Sequence, residues 1–280
     1  MTRPMSPAEK TKFHGYFPGL NVNAAIVTGE ATSVYNCISW TVGVTNRWLW
    51  PGTTLAQFDS FYGGFGFARC SNGPIAVWGF SPSHITHGSI TGSGHGPRWE
   101  SKCGADLRIQ HGLGELAGSS YGHVVAFYCR HRALERVFDA AVGEQEAMKE
   151  KTAKSYLSAS QKKTLGEVVR EVPEQVKTTF EKAFSGWKET WFNGPLSISS
   201  DPSDRATGQE FHDLIALGPA AIPLILEKLA DPENFVALQL YDALQTDVNL
   251  LVHIEPDDDR ILEGEQGRAR RTVQAWLANR

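Results

Sequence analysis

The 280-residue chain lacks several features that would assign it to a protein class at once. Its four cysteines show no CxxC spacing, which does not suggest a disulfide framework. No apolar run approaches the length of a membrane span, and the first dozen residues lack the apolar stretch of a secretory signal. These absences predict a cytoplasmic protein without membrane association.

Motifs for nucleotides and for serine nucleophiles are also missing. The sequence has no Gly-rich phosphate loop, no GxSxG and no dinucleotide fingerprint, so no cofactor is expected. Lys and Arg outnumber Asp and Glu by nine to six over residues 1–130, whereas the remainder has eighteen against twenty-five. Neither half carries a dense basic patch, and nucleic acid is therefore not an expected partner.

The residue patterns that are present predict an α+β fold in two different halves. After an entry segment without clear period, residues 35–44 and 55–66 favour helices, and short β-branched and aromatic runs then predict an antiparallel sheet. Residues 105–122 are predicted to be a looped connection between strands. From about residue 131 the pattern is helical, with residues 161–192 predicted as one amphipathic helix. We expect a domain over 1–130, a long helical connector over 131–195 and a helical domain over 196–280.

The helical domain contains a pair of helices that resembles a HEAT-type hairpin. The segments PAAIPLILEKLAD and PENFVALQLYDALQ each begin near a proline, which suits the first turn of a helix. HEAT-type units stack to bury their apolar faces, and they serve as scaffolds or docking surfaces. A plain helical bundle is the alternative interpretation, and either one provides a surface for a protein partner.

Cys37 is the candidate nucleophile of the sheet domain. It follows Asn36 and precedes an apolar run, which predicts a helix whose first residue carries the thiol. The partial positive charge at a helix N-terminus favours the thiolate, which is the reactive form of cysteine. The competing interpretation is that Cys37 is a small buried core residue, as most free cysteines are.

A candidate base and a group to orient it lie on the next predicted strands. His87 is in HITHGSIT, and the following strand offers Glu100 and Ser101. Because side chains alternate along a strand, only one of these two can face the histidine. A hydrogen-bonded core histidine is the alternative role for His87.

These residues belong to motifs that carry a resemblance to a known family. The pieces YNCISW, RWLWP, THGSI, WESKCG, RIQHG and YGHVV occur in this order between about Tyr16 and Arg130. Together they resemble an uncharacterised bacterial and fungal family of papain-like proteins, and more distantly NlpC-type cysteine peptidases. The resemblance implies a papain-like fold with Cys37 as nucleophile and His87 as general base. It favours Ser101 over Glu100 as the orienting group, because the family pattern WxSKxG keeps the serine.

The resemblance also indicates residues that would bind substrate or stabilise the oxyanion. The Cys37 N–H would supply one oxyanion donor, and Asn36 either supplies another or caps the helix. Trp40 and Trp50 are candidates for the groove wall. Two further candidates each have a second interpretation: Lys102 binds an anionic group or is an exposed structural lysine, and His111 lines the site or is a solvated loop residue.

A zinc site is the other chemistry to weigh, and the sequence does not favour it. Its potential ligands are close in sequence, but their spacing matches no familiar zinc pattern. His84 and His87 are three residues apart and should lie on opposite faces of a strand. We expect no metal; the set considered is His84, His87, His95, Cys103 and His111.

The function predicted from the sequence is that of a thiol hydrolase or acyltransferase. Cys37 would attack an amide, ester or thioester carbonyl of a small-molecule or peptide substrate, with His87 moving the proton. A second hypothesis is a non-catalytic binding or toxin-like module whose helical half docks a partner. A third is a lipid-directed acyltransferase, which predicts an apolar groove beside the Trp-rich segment RWLWP.

Overall fold

The computed structural model describes residues 2–91, 98–131, 157–255 and 258–279. It shows an α+β architecture, with an antiparallel sheet in the N-terminal half and helices in the C-terminal part, as the sequence predicts at this level. The strands are β1 (Arg3–Pro4), β2 (Ile26–Gly29), β3 (Phe67–Cys70), β4 (Ile75–Ser81), β5 (His84–Thr91), β6 (Trp99–Lys102), β7 (Arg108–His111) and β8 (His123–Arg130). The helices are α1 (Pro7–Tyr16), α2 (Cys37–Thr41), α3 (Leu55–Gly64), α4 (Ala159–Glu171), α5 (Glu174–Thr190), α6 (Gln209–Ala216), α7 (Ile222–Leu229), α8 (Leu238–Leu244) and α9 (Gly264–Ala278).

The eight strands form one sheet in the order β1-β2-β7-β6-β5-β4-β8-β3. The strands predicted to carry His87, Ser101 and Glu100 are therefore neighbours in the middle of the sheet. β7 lies next to β6, although residues 105–122 were predicted to be a looped connection. That prediction was wrong for Arg108–His111 because this four-residue strand is defined by its pairing with β6 and with β2, which is about 80 residues away.

The entry segment holds regular structure that the sequence prediction missed. Ser6 caps α1 in a capping box with Glu9, and Pro7 occupies the first helical turn. β1 and β2 pair with each other at the edge of the sheet. α1 buries Phe13 against the sheet face that also carries Trp78 and Ile109.

The opposite face of the sheet packs against α2 and α3. α3 begins at a capping box between Thr54 and Gln57. α2 lies directly over β5 because residue 88 is a glycine. A Cβ atom at Gly88 would lie 2.9 Å from Cδ1 of Ile38 and 3.3 Å from Cγ2 of Thr41.

The helical part differs from the prediction of one helix over residues 161–192. Val172 is extended, with φ −65° and ψ 133°, and Pro173 begins α5. A residue before proline avoids the helical region, so the amphipathic pattern continues across a break. α4 and α5 share a hydrophobic core with the later helices. Residues 132–156 of the predicted connector lie outside the described residues.

The two halves are joined through the side chain of Trp48. Its ring lies 5.5 Å from that of Phe235 and 5.9 Å from that of Phe192, both in the helical part. Its Nε1 donates to the carbonyl of Ser200 at 2.8 Å. Trp48 is fully buried, so this tryptophan from the sheet domain is part of the helical core.

One feature of the cysteines contradicts the sequence analysis. Cys70 and Cys129 form a disulfide between β3 and β8, whereas no disulfide framework was expected. The two residues are 59 positions apart, and they meet because β3 pairs antiparallel with β8. Cys37 and Cys103 are free and buried.

Candidate active site

Asn36 and the first turn of α2 hold Cys37 at the start of the helix. The Asn36 Oδ1 accepts from the Ser39 N–H at 3.0 Å, and its Nδ2 donates to the Leu49 carbonyl at 2.8 Å. Both ends of the amide are thus used to cap α2 and to anchor the following loop. Of the two roles considered for Asn36, the structure shows the cap.

The Cys37 thiol is fully buried. Its Sγ lies 3.1 Å from Oγ of Ser200, a residue of the C-terminal half, and within hydrogen-bonding reach of the Gly88 N–H. Burial raises the pKa of the Cys37 thiol to about 11, although these hydrogen bonds oppose the shift. The expectation of a thiolate is therefore wrong for this conformation, because desolvation outweighs the effect of the short helix.

His87 and Ser101 meet on the neighbouring strands β5 and β6. The His87 Nε2 lies 2.9 Å from the Ser101 Oγ, and both side chains are fully buried. Glu100 faces the other side of the sheet, where it contacts Thr28 and lies 2.8 Å from Nε of Arg108. Strand alternation has placed Ser101, and not Glu100, beside the histidine.

His111 extends this network to β7. Its Nε2 lies 2.8 Å from the Ser101 Oγ, and its Nδ1 lies 2.8 Å from the Gly112 carbonyl oxygen. Burial lowers the pKa of His111 to about 4, so the ring is neutral near pH 7. The interpretation as a solvated loop residue is wrong, since His111 is buried at the end of a strand.

The hydrogen-bond network assigns the proton positions. A carbonyl only accepts, so Nδ1 of neutral His111 carries the hydrogen and its Nε2 accepts from the Ser101 hydroxyl. Ser101 has then used its only hydrogen and must accept from Nε2–H of His87. Ser89, which accepts from Nε1 of Trp78 at 2.9 Å, also donates to Ser101 at 2.7 Å. The neutral His87 ring consequently has its lone pair on Nδ1.

This Nδ1 is the unsatisfied atom of the site. It is buried and has no hydrogen-bond partner among the described residues. Burial lowers the pKa of His87 well below its ordinary value, which leaves the lone pair free. Tyr121 stacks on the ring, with centroids 3.9 Å apart and an interplanar angle of 5°, and holds its orientation.

Cys37 and His87 are close in the fold but are not hydrogen-bonded to each other in the described part of the chain. The thiol contacts the Gly88 N–H, which belongs to the peptide group that follows His87. Gly88 faces α2, and alternation turns the His87 side chain toward the other face of the sheet. The structure therefore brings His87, Ser101 and His111 together directly, and it places Cys37 beside the backbone of His87.

Lys102 has a structural role that neither interpretation from the sequence described. It is fully buried, and its Nζ donates to the carbonyls of Thr32, Gly104 and Asp106 at 3.0, 2.6 and 2.7 Å. Burial lowers its pKa to about 7, while the three carbonyl oxygens favour the charged form. These contacts occupy all three ammonium hydrogens, so an anionic group has no free donor here.

The tryptophans proposed as groove wall lie in different surroundings. The Arg108 guanidinium carbon is 3.8 Å from the centroid of the Trp40 ring. Trp50 packs edge-on against Phe58 at 5.8 Å and lines a cavity of about 290 Å³. That cavity is also lined by the charged side chains of Asp242, Glu255, Glu265 and Arg268. It is therefore not the apolar groove that a lipid-directed enzyme would need.

A larger cavity of about 470 Å³ lies next to the His87 network. Thr86 and Tyr121 line it from the sheet domain, and Ile198 and Ser199 line it from the C-terminal half. Because Tyr121 also stacks on His87, a single aromatic ring separates the cavity from the histidine.

The described residues contain no group of three or more His, Cys, Asp or Glu side chains arranged to hold a metal ion. His95, one of the ligands considered, lies outside the described residues. Within the described ranges, no helix combines the length and apolarity needed to cross a membrane.

Sequence reasoning missed Ser200 and the positions that support His87. Ser200 is in a stretch of turn residues that looks like a linker, and nothing in its local pattern indicates a contact 163 residues away. Tyr121 was part of the recognised motif YGHVV but received no role. The available signal for a buried aromatic at this place was its position directly before a glycine and a strand rich in β-branched residues.

The site is that of an α+β protein with a buried cysteine at a helix start and a hydrogen-bonded histidine on the adjacent central strand. A family described as a domain of unknown function, DUF7689, matches residues 26–129, which contain α2 and every strand from β2 to β7. The comparisons find no match among curated proteins and none among solved structures.

Proposed function

We propose that the protein is a thiol hydrolase or acyltransferase acting on an amide, ester or thioester. Once the His87 ring has turned from the opposite face of the sheet to within hydrogen-bonding reach of Sγ, its Nδ1 takes the proton of the Cys37 thiol as the sulfur attacks the carbonyl carbon. The resulting oxyanion is stabilised by the Cys37 N–H, and the collapse of the tetrahedral intermediate expels a leaving group that receives the proton from His87. Water or an amine then releases the acyl group from the sulfur.

The observation that carries this proposal is the free Nδ1 of His87. A buried histidine usually uses both ring nitrogens, because an unsatisfied polar atom costs about 1–3 kcal/mol. Here Ser101 holds Nε2–H, the Tyr121 ring fixes the plane, and the lone pair remains available. This tautomer can accept a thiol proton, and the proposal requires that the His87 ring, which faces away from α2 here, moves to within hydrogen-bonding reach of Cys37 Sγ.

The arrangement also supports the proposed relationship to papain-like and NlpC-type proteins. The helix with the thiol packs on the strand of His87, and the next strand in sequence provides Ser101.

For the helical half, we propose a HEAT-like role as a docking surface. α7 and α8 pack against each other and share one core, which such a hairpin requires.

A non-catalytic binding module is the second candidate, and the burial of the thiol favours it. In this conformation Cys37 has no exposed surface and its raised pKa keeps it protonated at neutral pH. Under this alternative the His87 network is a core hydrogen-bond network, and the helical half docks a partner.

The cytoplasmic location expected from the sequence remains a prediction. The Cys70–Cys129 disulfide counts against it, because disulfides persist in oxidising compartments and are rare in the cytosol.

Covalent capture with acyl thioester and acyl amide probes tests the proposed function. Incubation followed by peptide mapping should find the acyl adduct on Cys37, and Cys37→Ala should abolish it. Cys103→Ala is the matched control, because Cys103 is the other free and fully buried cysteine. An adduct that persists in Cys37→Ala, or that Cys103→Ala removes instead, contradicts the proposal and favours the binding module.

A further inference from the structure

Residues 194–200 of the C-terminal half lie across the sheet domain beside Cys37; we call them the blocking segment. They follow α5, begin as a short 3₁₀ turn at Gly194–Ser197, and continue to Ser200. Asn193, Gly194 and Pro195 are exposed, whereas Ser197, Ile198 and Ser200 are buried. The segment therefore leaves the surface and enters the interior at the site.

Donors of the sheet domain hold the blocking segment by its main chain. Five donor groups bind four of its carbonyl oxygens, at distances between 2.7 and 3.2 Å. The donor–acceptor pairs are Tyr16 Oη to Gly194, Ala105 N and Asp106 N to Ser197, Tyr121 Oη to Ile198, and Trp48 Nε1 to Ser200. These contacts recognise main-chain carbonyl groups, so they do not depend on which side chains the bound segment carries.

Two side chains of the segment complete the fit. Ser197 Oγ donates to a carboxylate oxygen of Asp106 at 3.0 Å, and Ser200 Oγ sits 3.1 Å from Sγ of Cys37. Gly104 lies so close that a Cβ atom there would be 2.5 Å from the Ser197 carbonyl oxygen. The segment thus fills the space over the thiol, and the Ser200 hydroxyl stands where a reacting group would approach the sulfur.

We infer that the blocking segment occupies the substrate cleft as an intramolecular pseudosubstrate, and that the substrate taken in its place is a polypeptide segment. The inference rests on the proposed function and names its substrate class and its regulation. The backbone and side-chain donors that bind the carbonyls of residues 194–200 become the binding groups for the substrate main chain. While the segment is in place, the thiol is covered, so acyl adducts form on Cys37 only during transient openings of the segment.

The geometry explains how the segment can leave without unfolding the sheet. Its contacts with the sheet domain are five hydrogen bonds to carbonyls, the Ser197–Asp106 hydrogen bond and the burial of the Ile198 side chain in the core that contains Phe13. Its exposed end at residues 193–195 gives a starting point for opening. Local openings of this kind need less free energy than global unfolding. A partner that binds the helical half, or a protease that cuts at the exposed end, would release it.

A charge placed against Asp106 tests the blocking role. Ser197→Asp removes the hydroxyl donor and places a second carboxylate beside Asp106, whose own charge is paired with Lys12. One ammonium cannot pair fully with two buried carboxylates, so the segment should be displaced. We expect iodoacetamide to label Cys37 of this variant at least tenfold faster than in the wild type at pH 7. Ser160→Asp, which adds the same charge at an exposed helix position, should leave the rate unchanged.

Hydrogen exchange, and the dependence of Cys37 labelling on urea concentration, test the blocking role independently of the labelling rate of Ser197→Asp. In Ser197→Asp the amides of Ala105 and Asp106 should exchange faster, and faster exchange with an unreactive Cys37 overturns the inference. In the wild type, the rate of Cys37 labelling should rise less steeply with urea concentration than the fraction of globally unfolded protein does. If the two dependences coincide, no independent blocking segment exists, and this result decides the question even when Ser197→Asp does not fold.

A peptide added in trans tests the substrate class. The capped heptapeptide GPLSISS at millimolar concentration should slow labelling of Cys37 in Ser197→Asp at least threefold, and polyethylene glycol of similar mass should not. A lack of protection overturns the polypeptide assignment. A thiol that becomes reactive in Ser197→Asp but forms no acyl adduct refutes the proposed function and leaves the blocking role standing. A thiol that stays unreactive refutes the blocking role itself.

Discussion

Replacing Arg205 with methionine should lower the free energy of unfolding by about 3 kcal/mol, because its four hydrogen bonds to carbonyls hold the turn that carries the blocking segment. Arg205 is fully buried. Its guanidinium donates at 2.7–3.0 Å to main-chain carbonyls of the C-terminal half: Trp191, Leu196, Ser199 and Asp201. Burial lowers the Arg205 pKa to about 10, so the charge is retained at pH 7.

The size of this expected loss in unfolding free energy follows from two opposing effects. A hydrogen bond to a charged group contributes about 1.5–3 kcal/mol, and four of them exceed the cost of several kcal/mol of burying the guanidinium. Methionine removes the charge but leaves four carbonyl oxygens unsatisfied. Denaturation in urea measures the loss, and Arg3→Met is the control. Arg3 binds the carboxylates of Glu9 and Glu30 at the surface, so its replacement should lower the stability much less than that of Arg205. Equal losses in the two variants would contradict this role for Arg205.

The protein should lose about 3 kcal/mol of stability between pH 6.5 and pH 4 through His111 alone. The pKa of His111 is lowered to about 4 in the folded protein, whereas an unfolded histidine titrates near its ordinary value of 6.5. The unfolded chain therefore binds a proton first as the pH falls, and its free energy drops relative to the folded state. His87, with its pKa lowered in the same way, adds to the effect in the same direction.

His111→Gln isolates this contribution, because glutamine keeps an acceptor for Ser101 and cannot take up the proton. Urea unfolding at pH 7, 5.5 and 4 should show the variant becoming more stable relative to the wild type as the pH falls. His253→Gln is the control for the replacement itself, since His253 is exposed. A difference between His111→Gln and the wild type that is constant over this range would show that the histidine is not held neutral by burial.

The sequence predicted the parts of the site that depend on local pattern. Asn36 before an apolar run indicated the start of α2, and strand alternation with the family motif selected Ser101 over Glu100. The same local rules missed α1, although Ser6 and Glu9 have capping-box spacing, because no apolar period followed them.

Features that depend on distant contacts were not predictable from local pattern. β2 and β7 are four residues each, which is too short for a period, and each is defined by a partner far along the chain. The reactivity of Cys37 was misjudged for the same reason. The helix start favours a thiolate, but Ser200 lies against the sulfur in a fully buried position, and desolvation is the larger effect. A linker-like composition cannot show that a segment contacts a residue 163 positions away.

The most direct test of the central claim is the pH dependence of Cys37 modification with and without His87. Iodoacetamide labelling should be measured from pH 5 to pH 10 in Ser197→Asp and in Ser197→Asp combined with His87→Ala. Near neutral pH, the labelling rate of Cys37 should be at least about 100-fold lower in the variant without His87, because no base then takes the thiol proton. Without the histidine, the rate should rise only near the ordinary thiol pKa of about 8.5. Two superimposable profiles would contradict the claim that Cys37 is a masked nucleophile with His87 as its base.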